Sequence, residues 1–176
     1  MNSKKTDRGF TLIELVIVIS LVGILASIFF SRVLYYQEMA EKAAMQQVVG
    51  ALQSAMVLQY GPRMAMGTGS WVDNINTENP MEWLSQKPGN YAGEFKALKA
   101  AAVEPGNWAF DLATHELIYV PKHTEYFVPA KDGAMWIRYR ARLSYESKAR
   151  DKNARVLAGV IFSPVEPYQW MIREKP

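Results

Sequence analysis

The chain has 176 residues, with 20 Lys and Arg against 17 Asp and Glu, a net charge of +3. That length sets the scale of one domain plus a short extra segment, and no block of like charge is present to serve as a nucleic-acid tail. Of all residues 49% are apolar while the mean hydropathy is −0.11, which excludes both a disordered chain and a protein with many membrane spans; the absence of cysteine excludes disulfides, thiolate metal sites, thiol nucleophiles and lipoprotein acylation.

The apolar residues are concentrated near the N-terminus. From Phe10 to Ser31 there are 22 residues with Glu14 as the only charge, and the 17 from Leu15 onward carry none. About 20 such residues suffice to cross a bilayer as a helix. Lys4, Lys5 and Arg8 against Asp7 hold the preceding end on the cytoplasmic side. A cleaved secretory signal needs small residues in an A-x-A spacing after the run, and Leu25 to Phe30 matches that poorly. Two residues set the segment apart from a plain anchor. Glu14 places a carboxylate inside the apolar run, at a cost of about 2.5 to 3.5 kcal/mol unless it has a partner or a function. Gly9 is a small residue at the junction of leader and run, and cleavage after it would create an ammonium at Phe10, one helical turn from Glu14.

Lys4 to Ala26, KKTDRGFTLIELVIVISLVGILA, resembles the class III signal of type IV prepilins and of the pseudopilins of type II secretion. The resemblance implies that Gly9 precedes the prepilin peptidase cut, that Phe10 becomes the N-methylated first residue, and that Glu14 is the family's membrane-buried glutamate. Gly23 falls where many members carry glycine. Ser31 stands where many carry a kinking proline, so that bend is not implied for this chain. In a helical filament, Glu14 of one subunit can neutralise the Phe10 ammonium of a neighbour, and a buried pair broken on one side is strongly unfavourable.

The helix is expected to continue beyond the membrane. Residues Arg32 to Tyr60 contain no proline, and Met45, Val48, Val49, Leu52, Ala55 and Met56 recur at the spacing of one helical face. Glu38, Glu41, Lys42, Gln46 and Gln47 supply a polar face, and Gly61 with Pro62 a stop. From Phe10 to Tyr60 the helix would measure roughly 75 Å. Next comes a connecting region rich in Gly, Asn and Pro. There Asn79, Pro80 and Glu82 predict a capped short helix, and Tyr91 to Val103 another helical turn or two.

From Asn107 the period becomes two. Trp108, Phe110 and Leu112 predict a strand, Ala113 to His115 a turn, and Leu117 to Val120 the return strand. Trp136 to Tyr145 alternates Ile137, Tyr139, Ala141, Leu143 and Tyr145 with Arg138, Arg140, Arg142 and Ser144. A charged loop over Glu146 to Asn153 precedes a strand from Val156 to Phe162. The expected fold is α+β, a pilin-like ladle: a long N-terminal helix, membrane-spanning in its first half, packs its second half on a C-terminal antiparallel sheet of about four strands with one apolar face. The expected divisions are a cleaved leader at 1–9, a transmembrane and filament-core helix at 10–31, its amphipathic continuation at 32–60 and a periplasmic or extracellular head at 61–176.

The sequence offers no catalytic constellation. His115 and His123 stand near turns or strand ends, outside any metal-binding spacing, and no hydrolase elbow, phosphate loop or dinucleotide fingerprint occurs. Asp73, Asn76 and Glu78, with Asn74, form an oxygen-rich loop that is a weak Ca²⁺ candidate off the EF-hand pattern; no other cofactor is expected. Arg138, Arg140 and Arg142 emerge on one strand face about 7 Å apart, a solvated stripe or a phosphate contact for DNA, with Trp136 available for stacking.

The expected function is therefore a non-enzymatic structural subunit of a type IV pilus (fimbrium) or a type II secretion pseudopilus, inserted in the bacterial inner membrane and assembled into a homo- or hetero-oligomeric filament in the periplasm or at the cell surface. The partners that the resemblance implies are the prepilin peptidase/methyltransferase, the inner-membrane assembly platform and the lipid bilayer. The alternative is a minor pilin whose head binds DNA or a surface ligand.

Overall fold

The computed structural model describes residues 9–67, 71–99, 102–130, 133–148 and 151–171. Two compact units divide the chain, one through Gln37 and one from Glu38 onward. A single helix, α1 (Leu12–Ala65), contributes residues to both. It starts where the sequence allows a cap: Thr11 accepts the Glu14 backbone N–H on Oγ1 at 3.3 Å and the Leu15 N–H on its carbonyl at 3.2 Å. Within the first unit, Leu12, Ile13, Leu15 to Ile19, Leu21, Val22, Ile24, Leu25 and Ile28 to Phe30 are all exposed. A helix apolar on every side has no single core face, and by length and composition this one could cross a membrane.

The helix does not end at Tyr60, as Gly61 and Pro62 led us to expect, but runs on to Ala65. Proline removes one donor from the ladder. The turn after it still closes, since the Met66 N–H reaches the Pro62 carbonyl at 3.2 Å, and the chain breaks out at Gly67, whose N–H reaches the Met64 carbonyl at 3.1 Å with φ +99°. The stop is thus the glycine with left-handed backbone.

The second unit carries two short helical segments, α2 (Trp71–Asn74) and a 3₁₀ turn at Pro80–Trp83. Among the described residues its strands are β1 (Tyr91–Phe95), β2 (Trp108–Asp111), β3 (Glu116–Tyr119), β4 (Phe127–Val128), β5 (Ile137–Lys148), β6 (Asp151–Pro164) and β7 (Gln169–Trp170). The main sheet has five strands rather than about four, in the order β1-β2-β3-β5-β6, and β4 pairs with β7 apart from it. All pairs are antiparallel except β1–β2. The extra strand is β1, where helical turns were expected. Tyr91, Gly93 and Phe95 are half-buried while Ala92 and Glu94 are exposed, and Gly93 at φ +104° takes a backbone that no helix contains.

One sheet face packs on α1. Met45, Leu52, Met56 and Tyr60 join Trp108, Phe110, Leu117, Tyr119, Ile137, Tyr139, Ala141 and Phe162 in one buried cluster, which bears out the expected stripe. The opposite face is not bare as expected. Ala109, Ile118 and Val120 are buried there with Leu98 and Val103, flanked by Phe95 and Trp136, so β2 and β3 are covered on both sides. The expected charged loop over Glu146 to Asn153 is instead mostly strand: β5 and β6 pair as far as Lys148 opposite Asp151, because an antiparallel ladder is held by backbone groups and tolerates charged side chains. Tyr145, expected on the buried face, is exposed, next to a register shift at Ser144/Tyr145.

Candidate functional site

Gly9 and Phe10 stand in non-helical, exposed backbone immediately before the Thr11 cap. The peptide bond between them is therefore not tied into the helical ladder. Glu14 follows in the first turn, where a carboxylate complements the N-terminal end of the helix dipole, and its side chain is exposed in the single chain. Residues 1–8, with the leader charges Lys4, Lys5, Asp7 and Arg8, lie outside the described residues.

The second unit grips α1 through carboxylates that the sequence had placed on a solvated face. Glu38 is buried, accepting the Tyr126 backbone N–H at 3.0 Å and the Trp170 indole N–H at 2.8 Å. One turn later, Glu41 accepts the Tyr119 hydroxyl at 2.8 Å, the Lys122 N–H at 2.6 Å and the His123 N–H at 2.9 Å, while His123 Nδ1 lies 2.6 Å away. Lys42 donates to the Trp170 carbonyl at 2.6 Å. The only signal of this in sequence was two acids three apart on a helix, which is equally the signal of a solvated face. Burial, followed by the bond to Glu41, pushes the Tyr119 phenol well above its ordinary range. Tyr139 is raised in the same way by burial and its bond to Tyr168.

The arginine stripe is brought together, but against acids. Arg138 lies 3.6 Å from Glu116 and 2.9 Å from Glu166, and Arg140 lies 2.8 Å from Glu116. Arg140 also donates to the Thr114 carbonyl at 2.6 Å, and Arg142 to the Pro164 carbonyl at 3.1 Å. Glu116 is itself buried, while Arg140 and Glu166 stay partly exposed, so the pairs sit at the boundary between core and surface.

In the oxygen-rich loop, Asn76 is exposed, the side chain of Asp73 lies outside the described residues, and Glu78 accepts the Tyr60 hydroxyl and, at 3.2 Å, the Trp83 indole N–H. Among the described residues no three carboxylate or imidazole groups come together in a way that could hold a metal ion. The Asn79 cap is as expected, accepting the Met81 N–H at 3.0 Å with Pro80 next. Glu82, expected to close a capping box, pairs with Lys87 instead.

Residues 4–30 match the family model of the prokaryotic N-terminal methylation motif. No curated protein and no solved structure matches the chain. The match spans Gly9, Phe10 and Glu14, and the fold behind it is α+β and pilin-like. Residues 4–30 thus carry the prokaryotic N-terminal methylation motif, the class III signal of type IV pilins, and this segment supports the type IV prepilin and pseudopilin family.

Proposed function

We propose that the protein is a non-enzymatic structural subunit of a type IV pilus or type II secretion pseudopilus, cut between Gly9 and Phe10, methylated on the new Phe10 amine, and assembled from the inner membrane into a filament. The observation that carries this reading is the methylation motif over residues 4–30, joined to a helix whose exposed apolar surface suits lipid first and neighbouring helices afterwards. In the filament, Glu14 of one copy neutralises the Phe10 ammonium of another and so fixes the register of addition. The rival reading, a DNA-binding minor pilin, draws less support, since Arg138 and Arg140 are already paired with Glu116 and Glu166.

Glu14→Val tests the pairing role. It removes a charge from the apolar run, so insertion is retained or improved, while recovery in sheared filaments, or crosslinking to assembly partners, drops severely. Incorporation at the level of the unaltered chain would refute that role.

A further inference from the structure

The helix α1 starts later than its apolar sequence requires. Phe10, Leu12 and Ile13 are apolar, and a bilayer favours helix wherever apolar chain enters it, because backbone groups outside a ladder have no partner there. Helix therefore tends to extend back through Phe10. In the structure Gly9, Phe10 and Thr11 are instead non-helical and exposed, and the helix begins at Leu12.

Thr11 sets that boundary. Its Oγ1 accepts the Glu14 backbone N–H at 3.3 Å and its carbonyl accepts the Leu15 N–H at 3.2 Å, the two bonds that define an N-cap residue. Thr11 is the only residue from Gly9 to Ile13 with a side-chain acceptor, so no neighbour can take over the cap. The next hydroxyl, on Ser20, serves the helix interior, donating to the Val16 carbonyl at 2.8 Å.

The consequence falls on one atom. If the helix ran back to Gly9, the Gly9 carbonyl would accept the Ile13 N–H, as residues four apart in a helix do. That carbonyl belongs to the bond which the proposed processing breaks. Tied into the ladder, it would be open to a peptidase only after a turn of helix unwound; the capped start removes that step.

We propose that Thr11 is a positioning residue for the cut: by capping α1 it keeps the Gly9 carbonyl out of the helical ladder and presents the Gly9–Phe10 bond to the peptidase as non-helical backbone. This deepens the proposed function above and rests on it.

The test is cleavage of the full-length chain in detergent by purified prepilin peptidase, with kcat and KM measured separately. Thr11→Val keeps the shape of the side chain and loses the acceptor, whereas Thr11→Ser and Thr11→Asn change the shape and keep an acceptor. Because apparent affinity falls with the fraction of chains in the competent form, the expected result for Thr11→Val is a KM raised about fivefold, the size of a lost cap, with kcat unchanged. Thr11→Ser and Thr11→Asn are expected within about twofold of the unaltered chain. Equal KM for Thr11→Val and the unaltered chain overturns the proposal, as does a loss confined to kcat. Cleavage of Thr11→Asn as poor as that of Thr11→Val also overturns it, since the peptidase would then be reading the shape of the side chain and not the cap. An unaltered chain that is not cut at all counts against the proposed function itself and takes this inference with it.

Discussion

Glu38 shows how a single side chain can change meaning between sequence and fold. On a helix it reads as part of a polar face; in the structure its carboxylate takes one backbone and one indole donor and is 2% exposed. Glu38→Ala would leave the Trp170 indole N–H without its acceptor, and a buried unsatisfied group costs about 1–3 kcal/mol. We expect a loss of that size in denaturant unfolding of the detergent-solubilised protein, with Glu38→Gln, which keeps an acceptor oxygen, losing less. A change within error for Glu38→Ala would contradict the grip. The buried phenols set a pH dependence. Tyr119 and Tyr139 are raised above their ordinary value near 10 by burial and then by hydrogen bonding. Below about pH 10 both are neutral in the folded and unfolded states and contribute no slope; above it the unfolded chain releases protons that the folded chain keeps. Stability of the head then falls with rising pH by about 1.4 kcal/mol per unit for each tyrosine. Denaturation midpoints measured at about pH 9 and about pH 11 check this, and Tyr119→Phe should flatten the decline.

At the scale of elements, the second half of α1 is held by a stripe and not by helix propensity. Leu52 is fully buried in the cluster beneath the sheet while Leu58, on the same helix, is 79% exposed. Leu52→Ala should cost about 2–5 kcal/mol, and Leu58→Ala less than about 0.5 kcal/mol; equal effects in denaturant unfolding would mean that this face of α1 does not pack as described. The stripe was legible because helical spacing repeats over several turns, and β2, β3 and β5 were legible because alternation continues long enough to exclude a helix. Neither signal reaches β4 and β7, which have two residues each. It also fails for β1, where Tyr91 and Phe95, four apart, fit both periods, while Leu98, three residues further on, fits only the helical one. The arginine stripe was legible as a stripe, since Ile137, Tyr139 and Ala141 do face the core. What it meets was not, because Glu116 and Glu166 come from other parts of the chain and only the folded sheet brings them opposite Arg138 and Arg140.

For the whole molecule, the two units differ in how directly sequence encodes them. The N-terminal segment is read locally: its basic residues, Gly9, the apolar run and Glu14 lie within about one span of helix, so the sequence alone carries the methylation motif matched over residues 4–30. The head depends on contacts between distant residues, as in the bonds from Glu41 to Tyr119, Lys122 and His123, and no local pattern announces them. Processing of the N-terminal segment is therefore the first requirement of the proposed function. Intact-mass analysis of the protein extracted from membranes of cells that have the peptidase tests this directly. Removal of nine residues from 176 predicts a chain of 167 that begins at Phe10 and is heavier than its sequence by one CH2, a methyl group having replaced one amine hydrogen. A mature N-terminus beyond Ala26, or an uncut chain in cells whose other prepilins are processed, would contradict it.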